Sequence, residues 1–252
     1  MIVLKSKDEI ELMAKAASVT AEMLAKLPDV ISPGISTMDI DQWVESYILT
    51  NGMKPAFKGY GGFPGSACVS VNEEVVHGIP SKKKILCEGD IVSVDLGTIY
   101  AGYYSDAART YPVGRVDAIH AKLIKTAEDS FFAGLEFCKK GNRLGDVSHA
   151  IQSYVEARGF SVIRDYVGHG VGRSLHEDPQ VPNYGKAGHG PQLVPGMVLA
   201  IEPMIAEGRY DVEVLDNDWT AVTIDGSYAA HYENTVVITE DETRLLTCIG
   251  RE

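Results

Sequence analysis

The sequence predicts a single α+β domain made of two related halves. Segments with helical apolar spacing are mixed with β-prone segments, and a pattern at residues 89–95 returns at residues 196–202. No low-complexity linker separates the halves, which run from about residue 60 to 140 and from 141 to 248. We therefore expect one shared core across residues 1–252 rather than two hinged domains.

Caps and apolar periodicity predict four helices. A capping box of Ser6 with Glu9 begins the first helix, and Pro28 is expected to end it. The Asn51-Gly52 pair is expected to end the second. The predicted helical ranges are residues 6–28, 36–51, 118–140 and 146–158. A glycine and aromatic loop is predicted at residues 57–66, strands at residues 66–71, 91–100 and 103–111, and mostly β-structure from residue 160 onward.

The repeated pattern delivers a carboxylate at the same offset in each half. A glycine leads an apolar run to Asp95 in the first half and to Glu202 in the second. A second acid then follows in a β-prone run, Asp106 in the first half and Glu233 in the second. We expect two strand pairs, each carrying two carboxylates, to face one central cleft.

These four carboxylates and His169 form a candidate metal site. Asp95 and Asp106 flank a short turn, so on a hairpin they would be cross-strand neighbours that repel unless a cation lies between them. Oxygen donors with one imidazole suit two divalent cations better than a structural zinc, which favours thiolates. The leading interpretation is a two-metal hydrolase, and the alternative is a set of solvated edge-strand acids.

Composition and charge exclude several other classes. The net charge of −12 argues against a nucleic-acid binder, which needs a basic face. No apolar run is long enough to span a bilayer or to form a signal peptide, so a cytoplasmic protein is expected. A monomer is expected because the sequence shows no obvious apolar surface stripe. The four cysteines show no metal-binding spacing and are expected to be reduced core residues. The basic run Lys82-Lys83-Lys84 is either a solvated loop or a surface for transient contact with the ribosome.

Five motifs in order along almost the whole chain resemble type I methionine aminopeptidase. They are Val75–Pro80, Val94–Gly97, Gly168–Pro179, Ile201–Pro203 and Tyr232–Thr235. The resemblance implies the pita-bread fold, in which a curved antiparallel sheet with pseudo-twofold related halves is covered by helices. This implied symmetry agrees with the internal repeat.

The resemblance also implies a role for each site residue. Asp106 and Glu233 would bridge two divalent ions of Co, Mn, Fe or Zn, and Asp95 would chelate the second ion. His169 and Glu202 would complete the shell of the first ion, with Glu202 also a candidate general base. The remaining catalytic residues would be histidines that bind no metal: His176 would donate to the substrate carbonyl, and His77 would contact the scissile amide nitrogen.

By the same resemblance, an apolar pocket would bind an unbranched thioether side chain. Its residues would be Phe57, Tyr60, Phe63, Cys68, Tyr166, Leu175 and Trp219, together with His77 and His176. Phe63 stands where a tyrosine is frequent in the family, and Leu175 where a phenylalanine is frequent. We expect the preference for methionine to survive both differences, with a changed fit for inhibitors.

The implied function is removal of the N-terminal methionine from nascent proteins and peptides with a small second residue, by attack of a hydroxide activated by two metal ions. Xaa-Pro aminopeptidases share the five-ligand set but carry a large N-terminal domain. Non-catalytic binding modules of the same fold lose metal ligands, whereas all five are intact here. These two alternatives remain open from the sequence.

Overall fold

The computed structural model describes residues 1–248 and confirms the α+β class. Helices and antiparallel sheets alternate along this part of the chain, with a short 3-10 turn at Tyr60–Gly62 inside the predicted aromatic loop. The helices are α1 (Lys7–Val30), α2 (Thr37–Thr50), α3 (Ala118–Leu135) and α4 (Leu144–Glu156).

The three strands predicted in the first half are present to within about one residue at each end, and strands dominate after α4. Two short strands of the first half, Lys54–Pro55 and Glu74–Val76, were not predicted. Within residues 1–248 the strands are β1 (Lys54–Pro55), β2 (Ala67–Val71), β3 (Glu74–Val76), β4 (Ile91–Tyr100), β5 (Tyr103–Pro112), β6 (Ser161–Val162), β7 (Gly168–Gly170), β8 (Glu177–Val181), β9 (Val198–Ile201), β10 (Met204–Ala206), β11 (Val212–Val214), β12 (Ala221–Thr223), β13 (Ala229–His231), β14 (Asn234–Ile238) and β15 (Thr243–Leu245).

Two antiparallel sheets have a corresponding arrangement around one central strand. In the first sheet β4 pairs with β2 and β5, and in the second β9 pairs with β7 and β14. The glycine that precedes β4 and the one that precedes β9 both have positive φ, +97° at Gly89 and +89° at Gly196. This correspondence is the pair of related halves that the repeat predicted.

The two halves meet where β5 lies beside β14. The backbone N–H of Glu233 donates to the Ala108 carbonyl at 2.9 Å. The Thr235 hydroxyl donates to the Asp106 carbonyl at 2.7 Å. Because both bonds join residues next to or within the candidate metal site, the contact between the halves fixes the site's geometry.

Each half has its own helical layer and apolar core. Leu27 of α1 and Ile40 of α2 pack with Leu96 and other β2 and β4 residues of the first sheet. Phe131 of α3 and Ile151 of α4 pack with strands of the second sheet. These side chains are almost fully buried, and each such burial contributes roughly 1.5–3 kcal/mol to folding. The helices therefore hold both sheets rigidly around the cleft.

The prediction that Pro28 ends α1 is wrong, because the helix continues to Val30. A proline inside a helix leaves the carbonyl four residues earlier without its N–H partner. That carbonyl belongs to Leu24, and the Tyr111 hydroxyl of β5 donates to it at 2.7 Å. A contact from the sheet thus satisfies the acceptor that would otherwise favour helix termination.

The predicted bounds of the two central helices are also shifted. α3 ends at Leu135 instead of residue 140, because the N–H groups of Phe137 and Cys138 bond only three residues back, to the Gly134 and Leu135 carbonyls. α4 begins at Leu144 and ends at residue 156, two residues before the predicted bounds. Asp146 lies in its first turn and accepts the backbone N–H of Arg143 at 2.8 Å, so it caps the helix from within.

The cysteines do not all lie in the core. Cys68 and Cys138 are buried free thiols, as predicted. Cys87 is exposed, so the prediction is wrong there: its backbone N–H donates to Asp90 in the turn before β4, which leaves the side chain in solvent. Cys248 is partly exposed. Within residues 1–248 no helix is both long enough and apolar enough to cross a membrane.

Candidate active site

The first pair of candidate ligands lies on the β4–β5 hairpin. Asp95 is opposite Ala108, and Asp106 is opposite Gly97. The two aspartates are therefore diagonal neighbours, and side chains on alternate positions of a strand point to the same face. This geometry confirms the cross-strand arrangement predicted from the turn between them.

The second half brings three more side chains to the same place. Glu202 directly follows β9, Glu233 directly precedes β14, and His169 is the central residue of β7. The Nε2 atom of His169 lies 3.6 Å from Oδ2 of Asp106 and 3.5 Å from Oε1 of Glu202. Ligand atoms of Asp106, His169 and Glu233 all lie within 4.8 Å of one another, a cluster that could hold a metal ion.

Burial makes this set of acids electrostatically strained. Asp106, Glu202 and Glu233 are at most 9% exposed, and one oxygen of Asp95, of Asp106 and of Glu233 has no hydrogen-bond partner. Burial raises the pKa of Asp95 to about 7. Burial, with repulsion from neighbouring carboxylates, raises the pKa values of Asp106, Glu202 and Glu233 well above their ordinary range. Divalent cations fit this donor set, because they would use the unpartnered oxygens and remove the repulsion.

The His169 ring is neutral, as a metal ligand must be. Burial, with a smaller effect of His176, lowers the pKa of His169 to about 3, so its contacts with the acids are not ion pairs at neutral pH. Its Nδ1 lies 2.9 Å from the Gly170 carbonyl, which can accept only from an N–H at that atom. The lone pair of Nε2 is then directed toward Asp106 and Glu202.

Two further histidines flank the acids. His77 follows β3 with a left-handed backbone, φ +59°, and the Thr220 hydroxyl donates to its carbonyl at 3.3 Å. Burial, with a smaller effect of His176, lowers the pKa of His77 to about 4. The His176 ring centroid lies 4.2 Å from that of His169, and Nδ1 of His176 lies 2.8 Å from the Tyr60 hydroxyl.

One cavity of about 220 Å³ joins all the predicted site residues. This volume is below the roughly 300 Å³ at which pockets for drug-sized ligands begin, and it suits one amino-acid side chain. The predicted residues that line it are Phe57, Tyr60, Phe63, Cys68, His77, Asp95, Asp106, Tyr166, His169, Leu175, His176, Glu202, Trp219 and Glu233. Three residues that were not predicted, Gly61, Val76 and Val167, also line it.

The cavity has an apolar wall opposite its acidic one. Phe57, Phe63, Cys68 and Leu175 form a buried cluster, and the Phe63 ring meets the Trp219 ring edge-on at 5.1 Å between centroids. Burial raises the pKa of the Cys68 thiol well above its usual range, so the thiol stays protonated and behaves as a small apolar group. This wall can bind an uncharged, apolar side chain.

His231, to which no sequence motif assigned a role, lies against the acids. Its ring is 1% exposed, and its Nε2 lies 3.6 Å from Oε2 of Glu202 and 3.9 Å from Oε2 of Glu233. Burial lowers the pKa of His231 to about 3, which keeps the ring neutral. The only signal in the sequence was its position two residues before Glu233.

Arg109 is a second residue that the sequence analysis missed. Its guanidinium donates to the Glu233 carbonyl and, at 2.7 Å, to Oδ1 of Asn234. Both acceptors lie where β14 begins, whereas Arg109 belongs to β5, so the side chain ties the two halves together beside Glu233. No local pattern marks such a contact, which spans more than a hundred residues of sequence.

The chain is similar in sequence and in structure to known metallopeptidases. The model of metallopeptidase family M24 matches residues 11–240. The methionine aminopeptidase of Clostridium acetobutylicum is 55% identical over 247 residues, which cover 98% of this chain and 99% of that one. The crystal structure of methionine aminopeptidase from Thermotoga maritima matches with a TM-score of 0.97 and 52% identity, covering 98% of this chain and all of that chain.

The similarity to proline-specific enzymes of the same fold is weaker. The prolidase of Pyrococcus horikoshii matches with a TM-score of 0.80 and 25% identity, and the match covers 65% of that chain. Both the identity and the coverage therefore favour the methionine-specific branch. The chain belongs to metallopeptidase family M24 and, within that family, to the type I methionine aminopeptidases.

Proposed function

We propose that this enzyme hydrolyses the first peptide bond of nascent polypeptides that begin with methionine and have a small second residue. The observation that carries the proposal is the two-sided cavity. An apolar wall that includes Phe57 and Leu175 faces buried carboxylates such as Asp106 and Glu233, whose oxygens lack partners. A methionine side chain fits the first wall, and the hydrolytic groups line the second.

We propose further that the acidic wall holds two divalent cations. The residues that would hold them are Asp95, Asp106, His169, Glu202 and Glu233. Bound cations would polarise the substrate carbonyl and lower the pKa of the attacking water. The donor set accepts Co, Mn, Fe or Zn and does not select among them.

Side chains of the protein would accept the proton of the attacking water and stabilise the negative charge that develops on the substrate. Glu202 is the candidate base for the attacking water because its carboxylate lies within the cluster. Burial lowers the pKa of His176, so its ring is neutral at pH 7. When the Tyr60 hydroxyl donates to Nδ1 of His176, the Nε2–H remains as a donor for the developing oxyanion.

His77 would act at the other end of the scissile bond. Its left-handed backbone and the Thr220 contact fix the imidazole at the cavity wall. Because its pKa is lowered to about 4, the ring is neutral and can share a hydrogen bond with the scissile amide nitrogen. Catalytic roles for His77, His176 and Glu202 are therefore part of this proposal.

The pocket residues support selection of methionine. Phe63 and Leu175 are both buried in the apolar cluster, so the differences from the commoner tyrosine and phenylalanine keep the wall apolar. Leu175 is smaller than phenylalanine, which leaves more room at that side of the cavity. We expect methionine to remain the preferred first residue, with inhibitors that rely on an aromatic contact binding less tightly.

Selection at the second residue is a testable consequence. With Mn-loaded enzyme, Met-Ala-Ser is expected to be cleaved at least about a hundredfold faster than Met-Leu-Ser, because a near-attack position is lost when the second side chain is too large. Initial rates from liquid chromatography at equal peptide concentrations give the ratio. Equal rates on the two peptides would refute the limit to small second residues.

The cellular setting belongs to the same proposal. We propose a cytoplasmic monomer whose residues 1–252 form one catalytic domain, with halves at about residues 60–140 and 141–248. In the basic run, Lys82 and Lys83 are exposed, whereas Lys84 pairs with the buried carboxylate of Glu74. A transient contact with the ribosome would therefore use the first two lysines. Two alternatives, an Xaa-Pro aminopeptidase and a non-catalytic binding module, can be distinguished from this proposal by a peptide cleavage assay.

A further inference from the structure

A buried lysine lies outside the active site and is not used by the chemistry described so far. The Lys5 side chain is 4% exposed, and its Nζ donates to Oε2 of Glu177 at 2.5 Å and to the Val3 carbonyl at 2.9 Å. Its backbone N–H donates to the Gly196 carbonyl, just before β9, at 2.8 Å. A buried ammonium is costly unless it is paired and hydrogen-bonded, so this arrangement specifies one geometry.

The partner carboxylate also binds the chain that leads to His176. Oε1 of Glu177 accepts the backbone N–H groups of Arg173 at 2.8 Å and Ser174 at 3.2 Å. Glu177 therefore closes a tight loop, and Lys5 neutralises the carboxylate that closes it. This loop lies between β7, which carries His169, and β8.

A glycine within the loop shows how closely the ion pair packs. A Cβ atom on Gly172 would lie 2.5 Å from Cε of Lys5 and 2.5 Å from Oε1 of Glu177. Neither atom can move without breaking a buried hydrogen bond. The ion pair therefore needs a residue without a side chain at position 172, the last glycine of the Gly168-His169-Gly170-Val171-Gly172 motif.

The same loop carries two residues of the cavity. Leu175 is part of the apolar wall, and His176 lies beside His169 and bonds to Tyr60. We propose that the Lys5–Glu177 ion pair fixes the 171–176 segment, and that Lys5 and Glu177 are positioning residues for His176. This inference rests on the proposed function, in which His176 stabilises the oxyanion.

The test compares Lys5→Met with Lys7→Met, which removes the same charge from an exposed site at the start of α1. Gly172→Ala is a second variant that keeps both charges and displaces them. We expect Lys5→Met and Gly172→Ala to lower kcat on Met-Ala-Ser by about 10- to 100-fold at saturating Mn²⁺, because small displacements of a catalytic group have effects of this size. Lys7→Met should stay within twofold of the wild type.

A second readout does not depend on catalysis. Amide hydrogen exchange in the 171–176 segment, followed by mass spectrometry, should become roughly tenfold faster in Lys5→Met and unchanged in Lys7→Met. In the double variant Lys5→Met/Glu177→Met the melting temperature should recover, since apolar pairs often replace buried ion pairs without loss, while kcat should stay low.

The outcomes separate the two proposals. Unchanged exchange and kcat in both Lys5→Met and Gly172→Ala would overturn the positioning role. If both kcat and the melting temperature recover in the double variant, the ion pair only stabilises the fold. That result would also overturn the positioning role. Absence of cleavage by the wild type would refute the proposed function, and the exchange experiment would still decide whether Lys5 fixes the segment.

Discussion

Replacement of Glu233 by alanine is expected to abolish cleavage of Met-Ala-Ser while leaving the chain folded. Glu233 is 1% exposed, and its Oε1 has no hydrogen-bond partner, so the carboxylate is positioned for a cation rather than for the protein. Its backbone bond to Ala108, which joins the two halves, is independent of the side chain. The loss should exceed about a hundredfold, the upper end of losses when a residue only supports a metal ligand.

The measurement combines kcat at saturating Mn²⁺, isothermal titration calorimetry with Mn²⁺ and circular dichroism. Glu213→Ala is the matched control, because Glu213 is an exposed acid on β11 outside the cavity. We expect weakened Mn²⁺ binding and no turnover in Glu233→Ala, and wild-type behaviour in the control. Retention of activity and of Mn²⁺ affinity in Glu233→Ala would overturn the metal-binding role.

Removal of metal is expected to abolish activity and to make stability depend on pH. Without cations, the acids with raised pKa keep protons in the folded state that the unfolded state has released, so stability falls as pH rises through their folded pKa values. The buried histidines have lowered pKa values and act oppositely, but only below their unfolded pKa of 6.5. Above pH 6.5 the carboxyl groups alone determine whether stability rises or falls with pH.

The corresponding experiment records melting temperature between pH 6.5 and about 8, with EDTA and with Mn²⁺. The chelated protein should melt at progressively lower temperature across this range. The contribution of Asp95 levels off near its folded pKa of about 7, and the acids with more strongly raised pKa values continue the decline above it. The loaded protein should be more stable, and the difference should widen with pH. A constant difference, or a chelated protein that becomes more stable with pH, would contradict the strained acid cluster.

Local signals in the sequence predicted the features that depend on neighbouring residues. The capping box of Ser6 with Glu9 marked the start of α1 because a cap involves residues three apart. Likewise, the turn between β4 and β5 was sufficient to bring Asp95 and Asp106 to one face. Such features are encoded within a few residues, so the sequence reveals them.

Features that depend on distant partners were not predictable in this way. The continuation of α1 past Pro28 relies on Tyr111, which is more than eighty residues away. The contact of Arg109 with Asn234 and the burial of His231 against Glu202 also require the two halves to be assembled. The family resemblance predicted the candidate ligands and pocket residues, but it did not predict these contacts, because Tyr111, Arg109 and His231 lie outside its motifs.

If this site removes methionine with the help of metal ions, cleavage must require both an N-terminal methionine and a bound metal. The most direct test is mass spectrometry of a mixture of Met-Ala-Ser and Ala-Pro-Ser after incubation with Mn-loaded protein and with a chelated control. We predict that only the loaded protein releases methionine and that Ala-Pro-Ser stays intact. Cleavage before proline would assign the chain to the proline-specific branch, and cleavage of neither peptide would contradict the account in favour of a non-catalytic module.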